Sequence, residues 1–297
     1  MFSLRICRLA LSLSALLCTS VSAQRKPLFT SPLPTGVRLD PAGEAVDLGS
    51  LPINLVLTPE KDRAVVVLSG WREQGVQVVD LKTRKVTQTL LQDGAFYGAA
   101  FSPDGHRLCV SGGNTDLLFV YAWKDGAATL ENKFELAKAK TEDGTGTSYP
   151  AGLAFSPNGK FLYVVEDVGD RLAVVNAATG EITQRFSTDH YPYGVALTED
   201  GQVFVSAWGG STVSQFRVLA DETLAYLARI EVSRHPSALA VRGTRLYVTL
   251  AGSDRVAVVD TKLRRVARDL HDAAPGARPR AAHPTPSYLP PMASVCW

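Results

Sequence analysis

The sequence predicts an all-β protein, a β-propeller of four-stranded antiparallel blades, from three observations. A short phrase of small and apolar residues recurs five times, beginning at Pro52, Phe96, Pro150, Pro192 and Pro236. Successive phrases are 44, 54, 42 and 44 residues apart, which is the length of a propeller blade. Helical periodicity is nowhere sustained, so we expect the repeats to be built from strands.

Within each repeat the same elements follow in the same order. The phrase is the inner strand, since small apolar residues suit a crowded central channel. A tight turn such as Asp104-Gly105 or Asn158-Gly159 follows it, because these dipeptides supply the positive φ of a hairpin. Three further strands complete the blade, and in the third repeat we expect them at residues 161–165, 172–176 and 182–186. A β-sandwich of short strands would not explain a phrase repeated in constant order.

The propeller is expected to span residues 43–272, as about five full blades preceded by an N-terminal outer strand. Residues 43–48 align with the segment that begins an outer strand at Gly180, and such a strand can close the last blade of a ring. Residues 273–297 are rich in proline and show no strand pattern, so we expect a disordered tail and an incomplete ring. The chain is therefore interpreted as a fragment, with a natural short protein as the alternative.

The first 23 residues have the pattern of a secretory signal peptide. Arg5 and Arg8 supply its positive charge, residues 9–18 are apolar but too short to span a bilayer, and residues 21–23 form a small-residue cleavage site. We expect cleavage after Ala23, an N-terminal extension at residues 24–42, and a periplasmic or secreted protein without a membrane span. Lipid anchoring at Cys18 is the alternative, although Leu17 stands where a lipoprotein would need a small residue.

Charge and cysteine content exclude several classes of protein. Lys and Arg total 31 while Asp and Glu total 29, which argues against a general electrostatic grip on nucleic acid or an anionic membrane. Cys7 and Cys18 lie in the signal peptide, Cys296 lies in the tail, and Cys109 lies inside an apolar strand pattern. We therefore expect no disulfide framework or metal site, and we place Cys109 in the core.

Two strand phrases carry a resemblance to a known repeat. Residues 161–165 (FLYVV) and 246–249 (LYVT), with the neighbouring FSPDG and VVD phrases, resemble the YVTN-type propeller repeat over residues 43–270. The segment at 33–39 and the loop at 69–74 are similar to the propeller half of exported bacterial proteins that join a YncE-like propeller to an alkaline-phosphatase-like phosphoesterase domain. The resemblance implies a phosphoesterase domain in the intact gene product, where that family's chemistry would lie.

Function in a propeller is expected on one rim, where the loops that lead into each blade meet the loops between second and third strands. Tyr193 is equivalent in the repeat to Tyr97, so blade packing is its alternative role. His190 and His235 precede equivalent prolines, so their position in the repeat is the alternative to ligand binding. Glu166 and Asp167 could bind a cation, and the alternative is a solvated loop. Trp71 and Trp208 are the stronger candidates, because large aromatic side chains on polar loops suit recognition. The predicted ligand-binding rim consists of Trp71, Arg72, Asn114, Asp116, Glu166, Asp167, His190, Tyr193, Trp208 and His235.

Catalytic signatures are missing from the sequence: it has no Gly-x-Ser-x-Gly elbow, no Walker loop and no His-Glu-x-x-His motif. We therefore predict no catalytic residue, metal or cofactor, and a non-catalytic binding or scaffold propeller with a protein or small-molecule ligand on its rim. The alternative is a metal-dependent hydrolase similar to a lactonase. A quinoprotein-like redox propeller is a weaker possibility, because the sequence has no group of residues suited to such a cofactor. The fold alone does not decide among these functions, since one propeller fold hosts many of them.

Overall fold

The structure, a computed structural model, describes residues 44–138 and 147–271. Its twenty strands form five four-stranded antiparallel sheets in a ring, as the sequence predicts, and all lie in the unit Val46–Trp297. Blades 1 and 2 contain β1 Pro52–Leu57, β2 Arg63–Ser69, β3 Gln74–Asp80, β4 Lys85–Leu91, β5 Ala99–Phe101, β6 Arg107–Ser111, β7 Leu117–Lys124 and β8 Ala127–Glu135. Blades 3 to 5 contain β9 Pro150–Phe155, β10 Phe161–Glu166, β11 Arg171–Asn176, β12 Ile182–Ser187, β13 Pro192–Leu197, β14 Gln202–Ala207, β15 Thr212–Val218, β16 Leu224–Glu231, β17 Pro236–Arg242, β18 Arg245–Leu250, β19 Arg255–Asp260 and β20 Arg265–His271.

Several predictions fall outside the described residues. These are the signal peptide at 1–23, the extension at 24–42, the tail at 273–297, and the cysteines Cys7, Cys18 and Cys296. Within the described part of the chain, no helix is long and apolar enough to cross a membrane.

A hydroxyl residue closes the hairpin after the inner strand in blades 1 to 4. Its side-chain oxygen accepts a hydrogen bond from the first N–H of the second strand, as Ser156 Oγ does from Phe161 N at 3.0 Å. The glycine of the Asp-Gly or Asn-Gly turn adopts a positive φ, which is 74° at Gly105 and at Gly159. These turns explain why the sequence repeats Ser-Pro-Asp-Gly and Ser-Pro-Asn-Gly, since each residue type satisfies one local requirement. The other hydroxyl residues in this position are Thr58, Ser102 and Thr198.

Strand alternation gives each blade two apolar faces. In blade 1, Val65 and Val67 pack toward blade 2, whereas Val66 and Leu68 point to the opposite side. Clusters of buried side chains fill each space between successive blades, and burial of one such Val or Leu contributes about 1.5–3 kcal/mol. Cys109 lies in the cluster between blades 2 and 3, as predicted, and burial raises the pKa of its thiol to about 12.

Glycine lets the inner strands of neighbouring blades come together near the ring axis. A Cβ placed on Gly98 would collide with the carbonyl oxygen of Ala151 on the next inner strand, and Gly152 stands in the same relation to Tyr193. The N–H of Gly98 donates to Ser111 Oγ at 2.8 Å, so the strand cannot simply move outward without losing this bond. The predicted preference for small inner-strand residues therefore has a specific cause, which is backbone-to-backbone packing of adjacent blades.

The ends of the ring differ from the spaces between blades. The inner strands pack in the series β1, β5, β9, β13 and β17, and the described residues show no packing of comparable extent between β17 and β1. Blade 5 therefore does not pack on blade 1 as the other neighbouring blades pack on each other.

The predicted N-terminal outer strand is not observed, because residues 44–48 form no strand. Val46 and Leu48 instead pack on the face of blade 1 that carries Val66 and Leu68. The N–H of Gly49 donates to Gln77 Oε1 at 2.9 Å rather than to a neighbouring strand. A strand needs the free N–H and C=O groups of a sheet edge, and these residues meet a sheet face.

We predict that Gly98→Ala destabilises the protein by about 1–3 kcal/mol, because the new methyl group must displace the Ala151 carbonyl or the inner strand. Urea unfolding followed by circular dichroism measures the change. An unchanged unfolding midpoint would show that adjacent inner strands tolerate a side chain at this position.

Candidate functional site

The antiparallel pairing brings the predicted rim residues to one end of the ring, here called the loop end. Pro192, at the start of β13, pairs with Ala207, at the end of β14, and the other blades repeat this arrangement. Five of the ten predicted residues are exposed, and Trp71 is the most exposed of them at 99%; the others are Arg72, Asn114, His190 and Trp208. Asp116 and Glu166 are instead fully buried, beneath the surface of the rim.

A left-handed residue precedes the inner strand in four blades. Leu51, Tyr149, Tyr191 and His235 have φ values of 49°, 55°, 49° and 57°, and each stands directly before a proline. The carbonyl of this residue accepts a hydrogen bond from the loop after the second strand, as Tyr149 O does from Asp167 N at 3.0 Å. Non-glycine residues adopt this conformation at a cost of about 1–3 kcal/mol, so the surrounding bonds must hold it in place. In these four blades, the hydrogen bond to the carbonyl of the left-handed residue links the two loops at the loop end.

Four aromatic side chains from three blades meet at the loop end. The Phe96 ring lies edge-on to Tyr149, with centroids 5.1 Å apart, and edge-on to Tyr193 at 5.9 Å. Tyr97 and Tyr193 lie 4.5 Å apart with their rings tilted by 35°. Burial raises the pKa of Tyr97 to about 12, and burial followed by the charges of Tyr97 and Asp167 raises the pKa of Tyr193. These phenols therefore stay protonated over the physiological range.

Asp167 lies beside this aromatic cluster, and we call Phe96, Tyr97, Tyr149, Asp167 and Tyr193 the acid–tyrosine site. The pKa of the Asp167 carboxyl is raised to about 7, first by burial and then by the Asp170 carboxylate, while His190 opposes the rise. Burial raises the pKa values of Tyr149 and Tyr193, and the Asp167 charge raises them further. Asp167 N also donates to the Tyr149 carbonyl at 3.0 Å, so the groups lie close together. Among the described residues, none donates a hydrogen bond to the Asp167 carboxyl.

A histidine–aspartate pair borders the acid–tyrosine site. His190 Nδ1 lies 2.8 Å from Asp170 Oδ2, and Tyr191 N donates to Asp170 Oδ1 at 2.8 Å. The pair thus ties the loop after β10 to the segment that leads into β13. The sequence analysis missed Asp170, although the acidic loop containing Glu166, Asp167 and Asp170 could have identified it.

Glu166, which precedes Asp167 in the chain, makes contacts that stabilise the fold. Arg185 Nε and Nη2 donate to its two carboxylate oxygens at 3.0 Å each, and Ser148 Oγ donates at 3.1 Å. Arg171 Nε lies 3.0 Å from Oε2 as an ion pair without hydrogen-bond geometry. The buried charge of Glu166 is thus compensated, which is what burial of a carboxylate requires.

Asp116 holds the segment that carries Tyr149. Its buried carboxylate accepts hydrogen bonds from Thr147 N at 2.8 Å, Ser148 N at 2.9 Å and Tyr149 N at 2.8 Å. Three N–H donors on one carboxylate fix the backbone that leads into β9. Asp116 is therefore connected to the acid–tyrosine site through Tyr149, from below the rim.

Trp208 and His235 form a separate aromatic pair. Trp208 is 38% exposed, and its ring lies 5.1 Å from the ring of His235. His235 Nδ1 lies 2.8 Å from the carbonyl oxygen of Trp208, so the loops of blades 4 and 5 are joined there. No described ring contact or hydrogen bond links Trp71 or Arg72 to the acid–tyrosine site. Among residues 44–138 and 147–271, no group of three or more His, Cys, Asp or Glu side chains could hold a metal ion.

Comparison with known proteins identifies a family. The sequence model of the family described as "Lactonase, 7-bladed beta-propeller" matches residues 72–273, more than half of the chain. The curated Protein NirF of Stutzerimonas stutzeri is 25% identical over 142 residues, which are 47% of this chain. The matched part spans only 35% of the length of NirF.

Solved structures share the fold. A protein from Bacteroides uniformis, provisionally assigned as a 6-phosphogluconolactonase, has a TM-score of 0.61 at 16% identity, with 78% of this chain and 71% of that chain covered. PpgL, a periplasmic gluconolactonase from Pseudomonas aeruginosa, has a TM-score of 0.59 at 20% identity, with 78% and 74% covered. Similarity at these identities shows a common fold and nothing about activity.

We predict that Asp116→Asn destabilises the protein by about 1–3 kcal/mol. The neutral amide has one acceptor oxygen in place of two anionic ones, so it cannot accept all three N–H groups equally well. Urea unfolding measures the loss. The control is Asp93→Asn, which removes an exposed ion pair with Lys133 and should change stability little. Equal effects of the two substitutions would contradict the structural role of Asp116.

We predict that Asp167→Asn stabilises the protein at pH 8.5 by about 2 to 4 kcal/mol, with little effect at pH 4. The pKa of Asp167 is about 7 when folded, above the ordinary value of about 3.9 expected when unfolded, so the folded state binds the proton more tightly. Stability from this group is therefore complete below about pH 4 and is lost as the pH rises through about 7. Urea unfolding at both pH values checks the difference.

The control for this pH dependence is Asp125→Asn, since Asp125 is exposed in the hairpin between β7 and β8. It should leave the pH dependence of stability unchanged. A pH-independent effect of Asp167→Asn would show that the carboxyl titrates at the same pH in both states.

Proposed function

The chain belongs to the family of lactonase-type seven-bladed β-propellers, and from that premise we propose that it binds a small lactone at the acid–tyrosine site and hydrolyses it with Asp167 as general base. The observation that carries this proposal is the state of Asp167. Its carboxyl is half-buried, is not neutralised by a hydrogen-bond donor of the described residues, and has a pKa raised to about 7.

A carboxylate in this state suits proton transfer. A general base works best when its pKa lies near the operating pH, because it is then both deprotonated and basic enough to take a proton. An ordinary carboxylate with a pKa of about 3.9 would be a much weaker base. Glu166 precedes Asp167 in the chain but is paired with Arg185, so it does not suit this role.

The proposed reaction uses the groups around Asp167. The Asp167 carboxylate takes a proton from a water molecule as the water oxygen bonds to the lactone carbonyl carbon. The ring C–O bond then breaks, and Asp167 gives the proton that it took from the water to the leaving alkoxide oxygen, which yields a hydroxy acid and restores the carboxylate. Tyr149 and Tyr193 remain protonated because their pKa values are raised, so either O–H can donate to the carbonyl oxygen as negative charge develops.

The aromatic side chains support a ring-shaped ligand. Phe96, Tyr97 and Tyr193 offer flat apolar surfaces beside a few polar groups, which is the usual composition of a small-molecule site. Since the family is named for lactonases and PpgL is a gluconolactonase, a sugar-derived lactone is the substrate class to test first.

Binding without turnover is the second candidate function. It is favoured by the structural contacts of Asp116 and Glu166, because two of the predicted rim acids are committed to the fold. In that case the same aromatic surface holds a ligand, and Asp167 contributes a hydrogen bond rather than proton transfer.

We predict that the chain hydrolyses D-glucono-1,5-lactone above the spontaneous rate, with kcat rising with pH through about 7 as Asp167 loses its proton. Asp167→Asn should lower kcat by a factor of about 100 to 10,000 and remove this rise. A pH-stat assay with a no-enzyme blank measures both. Asp125→Asn, an exposed substitution at the opposite end of the ring, serves as the control and should keep full activity.

Other outcomes of this assay assign other functions. Full activity of Asp167→Asn would overturn the role of Asp167. Activity lost with EDTA and restored by Ca²⁺ would assign a metal-dependent hydrolase. Saturable lactone binding by calorimetry without turnover, weakened by Tyr193→Ala, would assign the binding function.

The export of the chain remains a prediction, and so do its partners. The signal peptide at 1–23 lies outside the described residues. A periplasmic or secreted location, and a phosphoesterase domain in the intact gene product, rest on the sequence alone.

A further inference from the structure

The end of the ring opposite the loop end, here called the turn end, carries a concentration of positive charge on blade 5. Arg242 and Arg245 face each other across the inner hairpin, and Arg265 pairs with Asp260 across the outer one. These two hairpins contain two carboxylates: Asp260 accepts the N–H groups of Lys262 and Leu263, and Asp269 forms an ion pair with Arg255. The exposed cations of this basic patch are Arg242, Arg245, Lys262, Arg264, Arg265 and Arg268.

These cations are not held in ion pairs within the described part of the chain. None of the six makes an ion pair with another described residue. Like charges directly opposite on paired strands, such as Arg242 and Arg245, are destabilising. The balanced composition of the whole chain thus hides a local excess of positive charge, and such a patch favours association with negative charge.

Negative charge is concentrated on the neighbouring blade at the same end. Glu199 and Asp200 occupy the inner hairpin of blade 4, and Asp221 and Glu222 occupy its outer hairpin. We call these four residues the acidic patch. Lys262 lowers the pKa of Asp200, after the larger effects of its hydrogen bonds with Thr198 and Gln202, so the two patches adjoin.

Each outer hairpin also exposes a leucine. Leu219, in blade 4, is 41% exposed, and Leu263, in blade 5, is 61% exposed. A leucine beside charged side chains at the tip of a hairpin adds apolar area to a surface that otherwise attracts by charge. The turn end of blades 4 and 5 therefore offers both signs of charge and two apolar contacts.

From this arrangement we propose that the turn ends of blades 4 and 5 form a two-fold symmetric interface with a second copy of this chain. A two-fold axis between the patches places the basic patch of each copy on the acidic patch of the other. It also places Leu219 of each copy opposite Leu263 of the other. A self-complementary surface of this kind is what a symmetric dimer requires.

A second copy fits this surface better than an anionic membrane does. A membrane presents negative charge alone, so the acidic patch next to the basic patch would be repelled from it. A second copy satisfies both patches at once. The interface lies at the opposite end from Asp167 and the acid–tyrosine site, so the site remains open in the dimer.

The test is sedimentation velocity of the purified chain, with charge-reversed variants. We expect the unaltered chain to dimerise at low salt and to dissociate at high salt, since exposed charges are screened. Arg264→Glu with Arg265→Glu, and separately Glu199→Lys with Asp221→Lys, should each weaken dimerisation by at least about tenfold. Circular dichroism and urea unfolding confirm that the variants remain folded.

Mixing the two variants gives the sharpest result. In a mixed dimer the unaltered acidic patch of one variant faces the unaltered basic patch of the other, and the two sets of reversed charges face each other, so an equimolar mixture should dimerise more strongly than either variant alone. The matched control is Lys82→Glu with Lys85→Glu, in the equivalent outer hairpin of blade 1, which should dimerise like the unaltered chain.

Three outcomes would overturn the proposal. The first is a chain that is monomeric at all concentrations in low salt. The second is equal weakening by the control in blade 1, which would indicate a general charge effect. The third is a monomer that binds vesicles containing phosphatidylglycerol through the basic patch, which would assign that patch to a membrane.

Discussion

Close packing of backbone against backbone at the ring axis is the constraint on which the other features depend. Gly98 and Gly152 each lie beneath a carbonyl of the next inner strand, and Gly194 approaches the Ser237 carbonyl in the same way. Because no side chain separates these strands, residues at or just before their starts in three different blades converge at one place. Phe96, Tyr97, Tyr149 and Tyr193 meet for this reason, although up to 97 positions separate them in the sequence. The candidate site is thus a consequence of how tightly the blades pack at their inner edges.

Two neighbouring acids show how one loop can hold both a structural group and the proposed functional group. Glu166 ends β10 and is surrounded by Arg171, Arg185 and Ser148, which compensate its buried charge. Asp167 follows it and points to a region with aromatic rings and another carboxylate, where no described donor compensates it. Alternation along the chain separates the two environments, since consecutive side chains leave a strand in opposite directions. Burial without a hydrogen-bond donor among the described residues raises the pKa of Asp167 to about 7, the range that the proposed general base requires.

Sequence patterns predicted the blades well and the site partly. Five four-stranded blades, their turns and the buried Cys109 follow from local residue types and spacing. The prediction of an N-terminal outer strand was wrong, because aligning sequence patterns cannot tell whether a segment will meet a sheet edge or a sheet face. Tyr193 and Asp167 were named together as rim residues, yet Asp116 and Glu166 were named with them and lie buried. Polarity on a loop indicates only that a side chain needs a partner, and here the partners of these two acids come from the protein itself.

The sequence by itself determined the repeat, its length and the order of strands, because these depend on short-range requirements: small residues at the axis, hydroxyl and glycine residues in turns, and alternating apolar side chains. The tertiary structure alone decided which side chains from different blades share a site, which carboxylates are compensated, and where charge accumulates. The six cations of the basic patch and the four acids of the acidic patch are invisible in a composition of 31 basic and 29 acidic residues. Electrostatic free energy depends on distance and burial, and only the folded chain fixes those quantities.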